Sequence, residues 1–282
     1  LRSAMSPLVT AVASSDAALG AVRLAVMLSG IETPGSAVDR AGWYGLALLP
    51  TRKRPEQVRQ AIQVDERGFV AVSLPERPHK DGLPDLRDLA FREPVIGACD
   101  ETGTVICLHV GSSGLEIPPL RSPVMQISAP LVGQLSLGAR TEWLWSGHPV
   151  RHPDLRIAMS EGGIGWVAML IDRLDNIVDR SCYGLGWDDR PAEVLRRNFR
   201  FCTLDDPSTI DTRHVIGVEN IMVETDYPHG DSTGPDSQQV IRDAWGHIAP
   251  NELRMMCSEN AAGLYRHPLP EVVLPLDVES SA

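Results

Sequence analysis

Short apolar runs alternate with amphipathic stretches along most of the chain. The runs at residues 43–49, 69–74, 105–110, 156–159, 199–204 and 220–226 are almost unbroken, the pattern of strands buried on both faces of a sheet. Pro50 and Pro75 close the first two, and a residue without an N–H cannot extend a ladder. Residues 5–12 form a seventh strand candidate with a poorer pattern. Between the runs, helices are expected at residues 55–66, with Pro55 in the first turn, at 91–101, stopping at Gly103, and at 130–147, 164–180 and 190–198. Two more are expected at 237–248 and 251–265, and an early one at 14–29 behind the capping residues Ser14-Ser15-Asp16.

Strands alternating with helices at this spacing predict parallel βα units. No Gly-x-Gly-x-x-Gly turn and no Walker-type phosphate loop occurs, which disfavours a nucleotide-binding sheet. The expected fold class is therefore α/β, a (β/α)8 TIM barrel. Its expected organisation is an N-terminal helical segment over residues 1–40, the barrel over 41–266 and a tail over 267–282. Six firm runs and a seventh fall short of eight strands. The expectation is that the first strand lies before Leu1, has escaped the pattern, or comes from another chain.

Composition narrows the function classes. The 282 residues are 43% hydrophobic and 22% charged, with a net charge of −11. Nucleic-acid and anionic membrane surfaces need clustered Lys and Arg, so neither partner is expected. No apolar run reaches the roughly 18 residues of a membrane span. The five cysteines, Cys99, Cys107, Cys182, Cys202 and Cys257, are odd in number and form no Cys-x-x-Cys pair. That pattern predicts a reducing, cytoplasmic location, with Cys107 and Cys202 as small core residues.

In parallel barrels chemistry sits at the C-terminal ends of strands. His109, Glu161, Asp205 and Asp226 all fall at or near such ends. The segment Val223-Glu224-Thr225-Asp226-Tyr227-Pro228-His229 stands out: an apolar run stops beside a carboxylate, and a His follows three residues later. The competing reading is that Asp226 caps a turn; Asp205-Asp206-Pro207 carries the same turn chemistry.

Several longer motifs stand in order over roughly residues 40–265: Tyr44-Gly45-Leu46-Ala47-Leu48-Leu49-Pro50, Pro78-His79-Lys80-Asp81-Gly82-Leu83-Pro84, Cys107-Leu108-His109-Val110-Gly111-Ser112-Ser113-Gly114, His152-Pro153-Asp154-Leu155-Arg156-Ile157, Ser160-Glu161-Gly162-Gly163-Ile164-Gly165-Trp166, and Asn220 through His229. Asp231-Ser232-Thr233, Pro235 and Ser237 complete them. Together they resemble the amidohydrolase-related proteins of the aminocarboxymuconate-semialdehyde decarboxylase type. The resemblance implies a barrel with one divalent metal at its mouth, zinc first and manganese second. It implies that His109 is the strand-five metal ligand. It implies that Asp226 binds the metal and handles a proton on the attacking water. An imidazole and a carboxylate suit either ion.

Two features depart from the family. No His-x-His supplies the usual strand-one ligands, so the metal is expected to be weakly held or absent unless other groups contribute. Glu161 stands before Gly162-Gly163, where decarboxylase relatives often carry His. It is a candidate metal ligand, general acid/base or partner of a substrate group, with a Glu bonded to its own turn as the plain alternative. His79, His229, Asp231 and Trp166 are candidate substrate-binding residues, Trp166 with packing as the competing role. The resemblance implies hydrolysis of an amide, ester, thioester or carbon–carbon bond, or non-oxidative decarboxylation, of a small polar carbonyl or carboxylate compound. Two alternatives stand beside it: a non-catalytic half-site subunit that completes its barrel with a partner chain, and a metal-free hydrolase. A homo-oligomer is expected from the family.

Overall fold

The computed structural model describes residues 46–48, 70–113, 129–180, 186–204, 206–227, 229 and 232–269. The expected strand at 5–12, the helices at 14–29 and 55–66 and most of the tail lie outside the described residues. Six strands form one sheet: β1 (Leu46–Leu48), β2 (Ala71–Leu74), β3 (Val105–His109), β4 (Ile157–Ser160), β5 (Phe199–Thr203) and β6 (Ile221–Val223). Every neighbouring pair is parallel, and the spatial order is the chain order. A doubly wound sheet reverses direction at a switch point; this one never does. The described strands thus form an arc of a barrel.

The crossover helices are α1 (Leu89–Thr102), α2 (Val132–Trp145), the short α3 (His148–Arg151), α4 (Val167–Arg180), α5 (Pro191–Asn198) and α6 (Arg213–Ile216). After β6 come α7 (Ser237–Trp245), α8 (Pro250–Arg254) and α9 (Asn260–Tyr265). No helix among the described residues is long and apolar enough to cross a membrane. Local chemistry sets the ends. Asp88 caps α1 by accepting the Phe91 N–H at 3.2 Å, and Gly103 ends it in the left-handed region. The single helix expected over 130–147 ends at Trp145, because Gly147 at φ +79° turns the chain into α3. The helix expected over 251–265 is interrupted by a π turn, Met255–Glu259. Just after that turn, the Asn260 amide donates to the carbonyls of Val218 and Ile221.

Side-chain alternation divides each strand between two layers. Val72, Ile106, Leu108, Ile157, Met159, Phe199, Phe201 and Ile221 face the helices, where Ile96, Trp143, Leu170, Val194 and Leu195 cover them. Ala71, Val105, Ala158, Cys202 and Met222 form a second, smaller layer with Tyr265 of α9. Cys107 joins this layer, its sulfur 3.4 Å from the Tyr265 hydroxyl. Burial pushes the Cys107 thiol up to about 12, as suits a packing residue rather than a nucleophile. By the same parity His109, Ser160 and Glu224 continue the inner layer toward the C-terminal edge.

One buried amide ties this sheet to its helices. Asn198, at the end of α5, is fully buried, and its Nδ2 donates to the carbonyls of His152, Pro153 and Leu155 at 3.1, 3.2 and 2.8 Å. These carbonyls belong to the turn that leads into β4. Asn198→Ala should leave them unsatisfied and cost about 3 kcal/mol of unfolding free energy. Urea denaturation measures this; a loss below about 0.5 kcal/mol would show that the turn does not depend on the amide.

Candidate active site

Three strand ends meet at the C-terminal edge. His109 is the last residue of β3, and its register partner on β4 is Ser160. Glu161 follows directly. Asp226 lies three residues beyond β6. Glu161 and Asp226 both adopt positive φ, +57° and +51°, a conformation that costs an L residue about 1–2 kcal/mol. The backbone therefore leaves each strand abruptly; the Glu161 carboxylate turns toward His109, and that of Asp226 toward Glu161 and His229.

The imidazole of His109 is fixed by its neighbours. Its Nδ1–H donates to the Val110 carbonyl at 2.7 Å. In the neutral ring Nε2 is then a bare acceptor, and it lies 2.9 Å from Glu161 Oε1 without a well-formed hydrogen bond. An acceptor facing a carboxylate calls for a proton or a cation between them. Burial pulls the His109 pKa down, but the Glu161 carboxylate and the Val110 carbonyl outweigh it and raise it. Burial likewise pushes Glu161 upward, and the close approach and charge of His109, with a hydrogen bond from Asp226, bring it below the ordinary value.

Of the two carboxyls, Asp226 is the one that holds its proton to higher pH. Burial, then the hydrogen bond to Glu161 and its charge, raise Asp226 to about 6. His229 tempers this, with Nδ1 2.9 Å from Asp226 Oδ2. The turn is closed by the His229 N–H donating to the Asp226 carbonyl at 2.8 Å. It is tied back by Ser232, whose hydroxyl donates to the Thr225 carbonyl at 2.6 Å.

The turn after β4 has its own scaffold. A Cβ on Gly162 would lie 2.7 Å from Ser136 Oγ and 3.0 Å from Met159 Cγ, so only glycine fits there. Asp206 accepts the Ile164 N–H and the Thr203 hydroxyl, joining β5 to this turn. Its place is structural, in line with the turn chemistry of Asp205-Asp206-Pro207.

Of the sequence candidates, the structure gathers His109, Glu161, Asp226 and His229 into one cluster. His79 lies in a 3-10 turn, Pro78–Asp81, with Nδ1 3.5 Å from Glu142. Trp166 is buried, donates from Nε1 to the Gly162 carbonyl at 2.9 Å, and packs edge-on against Phe201. Asp231 lies outside the described residues. Two other histidines serve the scaffold. His152 is held between Glu93 and Asp100, and buried His148 bonds the Leu86 carbonyl.

Two carboxylates were not singled out from the sequence. Glu224 accepts the Ser160 hydroxyl on Oε1 and the Glu161 N–H on Oε2, both at 2.7 Å. Glu76, two residues beyond β2, is 1% exposed, and neither of its oxygens has a well-formed hydrogen bond. Burial pushes its carboxyl up to about 7, against the opposing pull of the Gly111 amide and His109. The signal that selected Glu161, an acid just past a strand end, was present at Glu76 as well.

An amidohydrolase family profile matches residues 36–267. The chain belongs to the amidohydrolase family. Its fold is the TIM barrel, seen here as the six-stranded arc. Solved structures agree in fold. The chain superposes on an amidohydrolase from Mycobacterium avium subsp. paratuberculosis K-10 with a TM-score of 0.59 at 20% identity, covering 77% of this chain and 57% of the other. A 2,6-dihydroxybenzoate decarboxylase from Rhizobium gives 0.62 at 20% identity, covering 80% and 72%. A 5-carboxyvanillate decarboxylase from Sphingomonas paucimobilis gives 0.60 at 22% identity, covering 79% and 66%. The chain thus spans little more than half of the first relative and about two thirds of the others. No curated protein matches this amidohydrolase in sequence.

The amidohydrolase cluster suits a divalent cation in donor type. It offers one bare imidazole nitrogen and two carboxylates in contact. Among the described residues no three His, Cys, Asp or Glu side chains are arranged to hold a metal ion. The donors fit in kind, and further ones would be needed to complete a coordination shell.

The raised pKa of Glu76 has a consequence for stability. The folded state holds this proton more tightly than the unfolded chain, so stability falls as pH rises from about 4.5 to about 7. Glu76→Gln should remove that fall and leave the variant more stable than wild type at pH 8 by up to roughly 3 kcal/mol. Urea unfolding at pH 4.5 and pH 8 provides the comparison. Equal wild-type and variant stabilities at pH 8 would mean that folding leaves the Glu76 carboxyl unperturbed.

Proposed function

We propose that this amidohydrolase is a divalent-metal-dependent enzyme acting on a small polar carbonyl or carboxylate compound, by hydrolysis or non-oxidative decarboxylation. The observation that carries the reading is the Glu161–Asp226 pair beside His109. Two carboxylates in contact, one kept ionised and the other holding a proton up to about pH 6, form a matched base and acid. Hydrolysis would use both members of such a pair, and decarboxylation its acid. Hydrolysis requires a proton taken from water and another given to the leaving group; decarboxylation requires a proton given to the carbon that loses CO2.

His109 and Asp226 would hold the cation, with Glu161 beside them and further donors from outside the described residues. When bound, the cation would offset the carboxylate charge and polarise an oxygen of the substrate. Glu161 then accepts a proton and Asp226 passes one on. His229, 64% exposed and paired to Asp226, is placed to relay protons between that carboxyl and solvent. Tyr227, 65% exposed beside Asp226, offers an apolar wall at the mouth. A related dihydroxybenzoic acid decarboxylase from Polaromonas sp. JS666 was solved with bound manganese. That supports manganese, the second ion of the sequence expectation, and makes hydroxybenzoates some of the first compounds to try.

Asp226→Asn should lower turnover by at least 100-fold, within the range expected for a lost acid/base group, while the unfolding transition stays cooperative. The assay follows CO2 release from hydroxybenzoates and acid release from esters, lactones and amides. Elemental analysis of protein purified without chelator should find about one Zn or Mn per chain. Full activity in the Asn variant would remove Asp226 from the reaction; activity without metal would move the chemistry onto the carboxylate pair alone.

A further inference from the structure

Glu224 lies two residues before Asp226 but does not share its place. Its carboxylate spans from β6 back to the end of β4. There Oε1 accepts the Ser160 hydroxyl and Oε2 accepts the Glu161 N–H, each at 2.7 Å. The Cys202 thiol of β5, between the two strands, lies beside the same carboxylate. One side chain therefore ties the end of β4 to the end of β6. The residue it holds most directly is Glu161, whose backbone sits at φ +57°, where L side chains are disfavoured. A non-glycine residue stays in that region only when its surroundings over-determine it. Here the N–H of the strained residue is itself the group that Glu224 binds. Released from Glu224, the backbone of Glu161 would relax toward ordinary dihedrals, and its side chain would swing away from His109.

We infer that Glu224 is a positioning residue: its two-oxygen clamp on Ser160 and Glu161 fixes the left-handed turn that sets the Glu161 carboxylate against His109 and Asp226. The inference rests on the reading of Glu161 as part of the reacting cluster. It assigns Glu224 no contact with substrate. The role belongs to the geometry of the carboxylate rather than to its charge. A glutamine keeps that geometry, with its carbonyl accepting the Glu161 N–H and its amide donating to Ser160 Oγ. Alanine keeps neither contact.

The test compares crystal structures and Mn2+ binding of the wild type, Glu224→Gln, Glu224→Ala and Ser160→Ala. In Glu224→Ala, Glu161 should leave positive φ, and its carboxylate should separate from His109 Nε2 beyond hydrogen-bond range. Titration calorimetry should show Mn2+ bound about 10–100-fold more weakly than by wild type. Glu224→Gln should keep the turn and an affinity within about threefold of wild type, the difference between a supporting contact retained and lost. Ser160→Ala, which deletes one arm, should fall between. The inference is overturned if Glu161 keeps its turn and its His109 contact in Glu224→Ala, or if Glu224→Gln is as impaired as Glu224→Ala. Should Glu224→Ala not fold, the other two variants decide. Retention in Gln with weakening in Ser160→Ala supports the clamp, and no change in Ser160→Ala overturns it. Failure of the wild type to bind Mn2+ would remove the metal reading while leaving the Glu161 turn in the crystal structures as an independent readout.

Discussion

The contact between Glu161 and Asp226 sets the terms for everything around it. Two ionised carboxylates near a protein surface repel by about 4 kcal/mol at close range, and these two are 18% and 12% exposed. The repulsion is eased because Asp226 holds its proton up to about pH 6 and Glu161 faces His109. Each supporting feature answers this repulsion. His109 is held in one tautomer by the Val110 carbonyl, and His229 leans on Asp226 from the solvent side. The surrounding backbone is tied by Ser232, Asp206 and Glu224.

The barrel arc is what makes such a contact possible. His109, Glu161 and Asp226 are far apart in sequence, yet each follows a strand of one parallel sheet whose spatial order is its chain order. All strand ends therefore point the same way, and every second residue faces the same inner layer. Val105, Cys107 and His109 share that face, as do Ala158 with Ser160 and Met222 with Glu224. The apolar members pack with Tyr265; the polar members begin where that packing stops. The positive φ of Glu161 and Asp226 then bends the two exits together. Rigid apolar packing below and strained turns above are two parts of one device.

This division explains what could be read from the sequence. Strand positions and the ends that carry His109, Glu161 and Asp226 were legible because apolar runs and Pro or Gly stops are local signals. The fold class followed from their alternation. The break at Gly147 and the π turn at Met255–Glu259 were not legible, because each depends on what the helix meets in space. Glu224 was hidden for a similar reason. Its partners, Ser160 and the Glu161 N–H, lie more than sixty residues away, and its own neighbourhood drew the eye to Asp226. Glu76 carried the same local signal as Glu161, an acid just past a strand end, but what sets it apart is its burial beside His109, which only the fold supplies. His79 and Trp166 show the converse. Residue type and motif position marked them, while their surroundings tie one to Glu142 and the other to the packing behind the glycine turn.

Four carboxylates, Glu76, Glu161, Glu224 and Asp226, crowd one rim, with His109 and His229 as the facing bases. Burial raises Glu76, Glu224 and Asp226 above their ordinary values, so each costs stability when it ionises with nothing to balance it. Protons supply the balance at low pH. Near neutrality a bound cation would supply it instead, and any ligand that binds only the folded state adds to its stability. The same groups that weaken the empty rim would thus strengthen the loaded one. In that arrangement the strain at Glu161 has a purpose: it holds a carboxylate where repulsion is worst in the absence of a cation and attraction is greatest in its presence. The Glu224 clamp is the price of keeping that carboxylate in place between the two states.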